Sequence, residues 1–478
     1  MADHLSTQVV IIGSGPGGAV TAAVLANAGF GVIVLEEGND IASGTVRPFS
    51  REQMVEQYRS SGMTTAVGRP SVSYTEGSCV GGGSQVNSGI YHPPPFEAID
   101  RWAVERGVTD LSGETFVRLA QRVEERLGVR VDAEPGPSGR LLRSGADVLG
   151  WKVVEPPRWV NRTEAGATDR RGMRETYLAD ALHAGAVLWP KTRVSHIRAE
   201  NPGKVRVFAR RADRPIEIVA AHVVVAAGAI QTPFLLTRSN LGGPGVGHDL
   251  RMHPTVKAVA LFDEVATRFD EVAATQVREF SPAITIGHAA SRPGLVALGM
   301  TDHGRAIDRV AGRWENASVY YASTCGDGSG GVSAFPRLGE PIVRYRLAPG
   351  EGAALTSGMG RLLHVLLAAG AREIFPSFAG APTVRDEAGV AAAVGAMDIR
   401  RTPLMTVHLC GSVPLGSSGR RPSAVDSWGR LLADPRVSVN DASLIPSAPG
   451  VNPQGLVTAM ALRNAETLAA SLGGGPLD

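Results

Sequence analysis

The stretch from residue 8 to 38 constrains the fold more than any other part of the chain. It reads QVVIIGSGPGGAVTAAVLANAGFGVIVLEEG: an apolar run, a glycine-rich turn, then Val20, Val24 and Leu25 at the spacing of one helical face. Gly29 marks the end of that helix before a second apolar run. Two strands joined through such a crossover run parallel. The stretch therefore predicts a βαβ unit within an α/β fold.

The turn has the spacing of a dinucleotide-binding loop, GxGxxG, at Gly13, Gly15 and Gly18. The first glycine permits a tight turn, the second lets the backbone approach a pyrophosphate, and the third lets the helix pack closely on the strand. Glu36, at the end of the second strand, can accept a hydrogen bond from a ribose hydroxyl and disfavours the 2′-phosphate of NADP. These residues do not distinguish NAD from FAD, and a glycine turn that serves packing alone is the competing interpretation.

The chain is long enough, at 478 residues, for two or three folded units. The segment from about 39 to 69 is polar and aperiodic, as in a lid-like excursion, and strand and hairpin patterns then lead to a buried run at 223–225. Between 255 and 404, strand-like and helical stretches alternate. We therefore expect a Rossmann-like nucleotide-binding domain made of residues 1–254 and 405–478. It is interrupted by a substrate-binding domain, residues 255–404, built on a largely antiparallel sheet with helices.

Charge and cysteine content limit the kinds of partner that the chain is expected to bind. The 48 Lys and Arg nearly balance the 46 Asp and Glu, so no strong field argues for nucleic acid or an anionic membrane, and a small molecule is expected. Cys79, Cys325 and Cys410 form no CxxC pair, which disfavours a disulfide framework and a metal site. The apolar run at 9–12 is too short for a signal peptide or a membrane span. These features predict a cytoplasmic protein.

Two further motifs resemble the signatures of the glucose-methanol-choline (GMC) oxidoreductases. GSCVGGGSQVN, residues 77–87, is similar to the first signature of that family. GAIQTPFLLTRSNLG, residues 228–242, is similar to the second, with Thr232 and Pro233 as a helix-capping pair.

The C-terminal part of the chain carries the same resemblance. HLCGS at 408–412 resembles the H-x-x-G-[ST] element of the family, and residues 425–465 resemble its C-terminal block. The motifs occur in the order of the family and match least between about 255 and 400, where the substrate is chosen. The resemblance implies a FAD enzyme of two interleaved domains.

Specific residues follow from the resemblance. It implies that the ADP half of FAD is held by Gly13, Gly15, Gly18 and Glu36, and the adenine by the backbone of Val194. It implies that the flavin and ribityl chain lie near Gly82, Ser84, Asn87, Asp441, Ala442, Asn452, Pro453 and Gln454. Relatives with covalently bound flavin often carry a histidine at the position of Val86, so FAD is expected to be non-covalent.

The chemistry of alcohol oxidation points to His408. Moving a hydride to flavin N5 requires that the hydroxyl proton pass to a base, and an imidazole titrates in the useful range. The resemblance places the base of the family at the same residue. The second polar position of such sites is Asn452, whose amide can orient the substrate hydroxyl. Asn452 can also be the N-cap and Pro453 the first residue of the last helix, and both roles can hold at once.

Other histidines and cysteines are expected to be structural. His253 matches a family position that is usually structural, and His92 follows the second glycine loop, near the expected flavin. Cys410, two residues after His408, is expected to be a packed thiol.

The predicted function is FAD-dependent oxidation of an alcohol to an aldehyde or ketone, with oxygen or another molecule as the electron acceptor. A primary alcohol is favoured, either the hydroxymethyl group of a sugar-like or aminoglycoside-type metabolite or a long-chain alcohol. The alternatives are a sterol oxidase, a flavin-containing hydroxynitrile lyase with no net redox change, and a NAD-dependent Rossmann enzyme.

Overall fold

A computed structural model describes residues 3–108, 110–131, 134–162, 168–200, 203–269, 271–272, 274–416 and 422–474. The strands are β1 (Asp3–Ile12), β2 (Val32–Leu35), β3 (Thr64–Ala66), β4 (Val72–Tyr74), β5 (Val153–Val154), β6 (Val160–Arg162), β7 (Thr168–Arg170), β8 (Val187–Trp189), β9 (Thr192–Glu200), β10 (Lys204–Arg211), β11 (Arg214–Val225), β12 (His248–Met252), β13 (Thr255–Leu261), β14 (Gln276–Val277), β15 (Ile284–His288), β16 (Ala317–Thr324), β17 (Ser329–Ser333), β18 (Ile342–Arg346), β19 (Glu373–Pro376), β20 (Leu404–Thr406), β21 (Leu409–Cys410) and β22 (Val437–Val439). The α-helices are α1 (Pro16–Asn27), α2 (Arg51–Gln57), α3 (Gly83–Val86), α4 (Phe96–Arg106), α5 (Gly113–Leu127), α6 (Pro137–Val148), α7 (Tyr177–His183), α8 (Gly228–Arg238), α9 (Pro293–Gly299), α10 (Ile307–Val310), α11 (Glu351–Ala368), α12 (Glu387–Ala396) and α13 (Gln454–Ser471).

The first sheet contains the predicted βαβ unit. Its strand order is β8-β2-β1-β11-β10-β9, and β22 also pairs with β11. β1 runs parallel to both β2 and β11, whereas β9, β10 and β11 form an antiparallel meander. α1, which is buried from Gly17 to Ala26, packs on α13 and α7. The Rossmann-like prediction is therefore confirmed, and the glycine turn after β1 opens at the carboxyl end of the parallel strands.

The second sheet is largely antiparallel, as expected for the substrate-binding part. Its order is β3-β4-β20-β13-β16-β15-β14-β5, and β19 pairs with β13. α6, α11 and α12 bury one of its apolar clusters. No described helix combines the length and apolar character needed to cross a membrane.

The second sheet is wider than the sequence indicates. β3, β4 and β5 enter it from residues before 255, and β3 belongs to the segment from 39 to 69 predicted as a lid-like excursion, which also contains α2. Strands of two or three residues are too short to show the alternation by which a strand is recognised in sequence. The division at 255 and 404 therefore omits parts of this sheet.

Candidate active site

A cavity of about 760 Å³ lies between the two sheets. Most of the residues predicted to hold a cofactor line it, namely Gly13, Gly15, Glu36, Gly82, Asn87, Val194, Asp441, Ala442, Asn452, Pro453 and Gln454. Ser84 and Gly18 lie behind this lining. Ser84 Oγ donates to Gly81 O at 2.7 Å and accepts from Met173 N at 2.9 Å, so its hydroxyl supports the loop instead of facing the cavity.

The two glycine loops touch at the cavity wall. Gly82 has φ +54°, and a Cβ built on it would lie 2.8 Å from the Cα of Gly15. Beside them, Glu36 Oε2 accepts from Ser14 N at 3.0 Å and Ser14 Oγ at 2.7 Å, while Oε1 accepts from Gly38 N at 2.9 Å. A carboxylate oxygen has two lone pairs, so Glu36 can still accept a bond from a ribose hydroxyl.

Asp441 joins the second signature to the C-terminal block. Its carboxylate accepts from Gly228 N at 2.8 Å, from Thr232 Oγ1 at 2.5 Å, and from Ser443 N and Oγ at 2.8 and 2.6 Å. These bonds occupy the carboxylate, so the backbone of Asp441 is the part left for a cofactor. Thr232 and Pro233 lie inside α8 and do not occupy its cap position, which is Ala227. Thr232 Oγ1 accepts from the backbone N–H of Ala227 at 3.0 Å and donates to Asp441.

The flavin-side loop is fixed by a contact that the sequence did not indicate. Asn87 Nδ2 donates to Gln454 Oε1 at 2.7 Å, and Arg170 Nη2 donates to Asn87 O at 2.9 Å. Arg170 is buried, and burial lowers the pKa of its guanidinium to about 10, so it stays charged at neutral pH. Asn87 and Gln454 come from parts of the chain that only the fold brings together.

His408 lies at the cavity beside a second histidine. Met252 faces Leu409 in the antiparallel pair of β12 and β21, so the adjacent residues His253 and His408 become neighbours. Their Nδ1 atoms are 2.8 Å apart, and their rings meet edge to face. Sequence reasoning placed His253 in a structural role and missed this direct contact, which follows from the strand pairing and not from any motif.

Asn452 completes the cluster. Its Nδ2 lies 3.2 Å from Nε2 of His408, and the backbone N–H of Gly450 donates to Nε2 of His253 at 3.2 Å. The expected N-cap role of Asn452 is wrong: α13 begins at Gln454, Pro453 occupies the cap position, and no side chain caps the helix. The amide of Asn452 faces the imidazole instead.

Comparison with known proteins agrees with this geometry. Residues 54–255 and 338–461 match two family models described as GMC oxidoreductase, and residues 11–72 match a model described as an NAD(P)-binding Rossmann-like domain. A GMC-type oxidoreductase of Sinorhizobium fredii is 36% identical, with 97% of this chain and 94% of the relative covered. The chain belongs to the GMC oxidoreductase family.

Other members of the family are more distant. A long-chain-alcohol oxidase of Arabidopsis thaliana is 28% identical, over 94% of this chain and 65% of the relative. The 6‴-hydroxyparomomycin C oxidase of Streptomyces lividus is 25% identical, over 97% of this chain and 92% of the relative. The solved structure of an Aspergillus oryzae formate oxidase variant superposes with a TM-score of 0.75 at 16% identity, over 98% of this chain and 99% of that chain, so it shares the fold.

The protein is therefore an oxidoreductase acting on CH–OH donors, and its cofactor is FAD. The lining fits this cofactor, since the GxGxxG turn, Glu36 and the N-terminus of α13 all face one cavity. Gln454 Nε2 is a buried donor with no partner among the described residues. It is therefore free to donate to a carbonyl of the flavin.

Burial keeps the imidazoles of this GMC site neutral. Desolvation lowers the pKa of His408 to about 4. It lowers the pKa of His253 further, with the neighbouring charge of His408 as a second cause. Burial, Arg278 and His408, in that order, lower the pKa of His92 to about 4. Cys410 is a packed thiol as expected, since burial raises its pKa to about 12.

Counting protons limits the tautomers of the histidine pair. When His253 Nε2 accepts from Gly450, the proton of neutral His253 lies on Nδ1 and is donated to His408, whose own proton then lies on Nε2. In that pair, Nε2–H of His408 and the Nδ2 group of Asn452 are both donors, so the bond between them is lost. Nε2 of His408 is free only when His408 donates from Nδ1 and His253 carries its proton on Nε2, with loss of the Gly450 bond. One such bond is worth about 0.5–1.5 kcal/mol, so both tautomer pairs are accessible. The hydrogen bonds of His253 therefore determine which nitrogen of His408 carries its proton.

If His408 is the base, its lowered pKa sets the pH dependence of flavin reduction. A base must be neutral, and a pKa of about 4 keeps His408 neutral at every higher pH. We expect the reduction rate to be flat from about pH 6 to 8 and to fall about tenfold per pH unit below about pH 4. Stopped-flow reduction by an alcohol, with circular dichroism to verify folding at each pH, measures this. A midpoint near 6.5, the ordinary value for histidine, would contradict a desolvated base.

Proposed function

We propose that the protein oxidises a primary alcohol to an aldehyde, with His408 as the base. The observation that carries the proposal is the 3.2 Å contact between His408 Nε2 and Asn452 Nδ2 at the cavity. Two side chains that converge in this way can hold one hydroxyl group between them.

Proton transfer is the part of the reaction performed by the chain. In the reactive tautomer, His408 donates from Nδ1 to His253 and accepts the hydroxyl proton at Nε2. Asn452 has no proton-accepting role; its amide orients the hydroxyl. The hydride acceptor, which amino acid side chains lack, would be supplied by bound FAD. The positive end of α13, at Gln454, faces the same cavity and would favour the negative charge of a reduced flavin.

Non-covalent FAD remains part of the proposal. Val86, at the position where a histidine would form the link, offers no nucleophilic atom. Acid precipitation of the purified protein should therefore release the flavin into the supernatant.

The names of two relatives bear on the substrate. The named relatives, a long-chain-alcohol oxidase and a 6‴-hydroxyparomomycin C oxidase, span an apolar substrate and an aminoglycoside. A primary alcohol is compatible with both. The cytoplasmic location expected from the cysteine content stays a prediction.

The test is anaerobic mixing of the purified flavoprotein with a panel of alcohols, followed by exposure to air. Loss of the flavin absorption band with formation of an aldehyde is expected. Fast reoxidation of the flavin by oxygen, with hydrogen peroxide as the product, would identify an oxidase. Slow reoxidation by oxygen would identify a dehydrogenase that uses another acceptor. Turnover of a hydroxynitrile with unchanged flavin absorption would contradict the proposal in favour of the lyase.

A further inference from the structure

One wall of the cavity is a polar face of the second sheet. The strand register aligns two rows of residues: Gln276, Gly287, Tyr321 and Lys257 across β14, β15, β16 and β13, and Thr285, Ser323 and Thr255 across β15, β16 and β13. Arg278, directly after β14, joins the second row through its hydrogen bond to Thr285. All of these except Gly287 line the cavity. The ring of Tyr321 lies over Gly287, whose missing side chain leaves it room. The wall nearest the substrate is therefore built of hydroxyl, amide and cationic groups.

The charge of this wall has one sign. Lys257 and Arg278 are its cations, and none of its described residues is acidic. The acidic residues that line the cavity are Glu36, Glu37, Glu76 and Asp441, all of which lie outside residues 255–404. Each of them is held by Arg59 or by loop hydrogen bonds.

Arg278 lacks a counter-charge. Among the described residues, no carboxylate lies within ion-pair distance of it, and its guanidinium makes one long hydrogen bond, 3.4 Å to Thr285 Oγ1. Burial lowers the pKa of both Arg278 and Lys257. A guanidinium that is partly desolvated and unpaired is unfavourable until an anion reaches it.

Arg278 also lines the same cavity as His408 and Asn452. Its charge, after burial, is the largest cause of the lowered pKa of His92, and His408 contributes to that same shift. A molecule bound in this cavity can therefore meet Arg278 with one group and His408 with another.

We infer that the substrate is an alcohol that also carries an anionic group, a carboxylate or a phosphate, which Arg278 binds while the hydroxyl lies at His408 and Asn452. This inference rests on the function proposed above and specifies its substrate class. Guanidinium suits the planar geometry of a carboxylate or phosphate, and Tyr321 and Lys257 add donors along the same wall. A polycationic aminoglycoside would meet like charge there, and an alkyl chain would strip water from the wall without replacing its hydrogen bonds.

The experiment compares benzyl alcohols that differ in the charge of the para substituent. They are benzyl alcohol (neutral), 4-(hydroxymethyl)benzoate (carboxylate), 4-(hydroxymethyl)benzylamine (cation) and 4-(hydroxymethyl)phenyl phosphate (phosphate). We expect kcat/KM to be highest for an anion and lowest for the amine. In Arg278→Met the ratio of anionic to neutral kcat/KM should fall about 10- to 100-fold, the scale of a charge-assisted hydrogen bond. Arg278→Lys should restore part of the ratio, and Arg305→Met, at an exposed cation that does not line the cavity, should leave the ratio unchanged.

Two further readouts separate the alternatives. Calorimetry with 4-methylbenzoate measures anion binding without turnover, and it should weaken in Arg278→Met. A neutral alcohol as the best substrate would overturn the inference. An equal loss of kcat/KM for all alcohols in Arg278→Met, together with a shifted flavin potential, would also overturn it, because Arg278 would then act on the reduced flavin. If no alcohol bleaches the flavin, the proposed function fails. Anion binding lost in Arg278→Met would then still support the wall as an anion site, and absent binding would overturn that as well.

Discussion

His408→Ala should retain bound FAD but reduce it about a hundredfold or more slowly than the wild type, which is the scale of a lost general base. The imidazole is half-buried at the cavity, desolvation lowers its pKa to about 4, and its Nε2 lies 3.2 Å from Nδ2 of Asn452. Removing it leaves the hydroxyl proton without an acceptor. His408→Gln, which can still bond to His253, should be equally slow, because an amide cannot accept the proton. Stopped-flow reduction under anaerobic conditions gives the rate.

The matched control is His222→Gln. His222, in β11, is also buried, and burial lowers its pKa to about 4. Its Nε2 lies 2.8 Å from Ser438 Oγ, but His222 does not line the cavity. This variant should lose stability and keep the rate of flavin reduction. The His408 variants could instead lose FAD from part of the protein, while the flavin in the remaining holoenzyme is reduced at the wild-type rate. In that case His408 would be a packing residue.

Gly17→Ala should abolish stable FAD binding. A Cβ at Gly17 would overlap the carbonyl oxygen of Asn440, in the loop that also carries Asp441. The neighbour is backbone, so relief requires α1 and this loop to separate, and both line the cofactor cavity. We expect a loss of about 2–3 kcal/mol of stability, the upper part of the usual range for inserting atoms into a packed site. The ratio of flavin to protein absorption and the Tm report both effects.

Gly395→Ala is the control for this substitution. Gly395 also lies in a helix, α12, but a Cβ there would meet nothing within 4 Å. Replacing it should stabilise the protein by about 0.5–1 kcal/mol through helix propensity and leave the flavin content unchanged. Equal behaviour of the two variants would contradict the close approach of α1 to the Asn440 loop.

The local features of the fold could be predicted from sequence, since they depend on neighbouring residues. Strand, glycine turn and helix lie within 31 residues, and the structure places Gly13, Gly15 and Glu36 around one cavity. The motifs likewise identify His408 and Asn452 separately as candidate site residues, and both line this cavity.

Contacts between distant segments could not be predicted. The pair of His253 and His408 depends on β21, a strand of two residues, and Arg170 reaches Asn87 across 83 residues of chain. The polar wall likewise exists only once four strands are in register, because Arg278 and Lys257 are ordinary cations in the sequence. Helix boundaries shift function too: a start at Gln454 frees the amide of Asn452 for the imidazole.

The most direct test of the central claim is anaerobic mixing of the purified enzyme with a primary alcohol and with the same alcohol deuterated at the reacting carbon. Transfer of hydride to FAD predicts that the flavin band bleaches, that one aldehyde forms per flavin, and that deuterium slows the bleaching. Product formed from the substrate while the flavin band stays unchanged would contradict it.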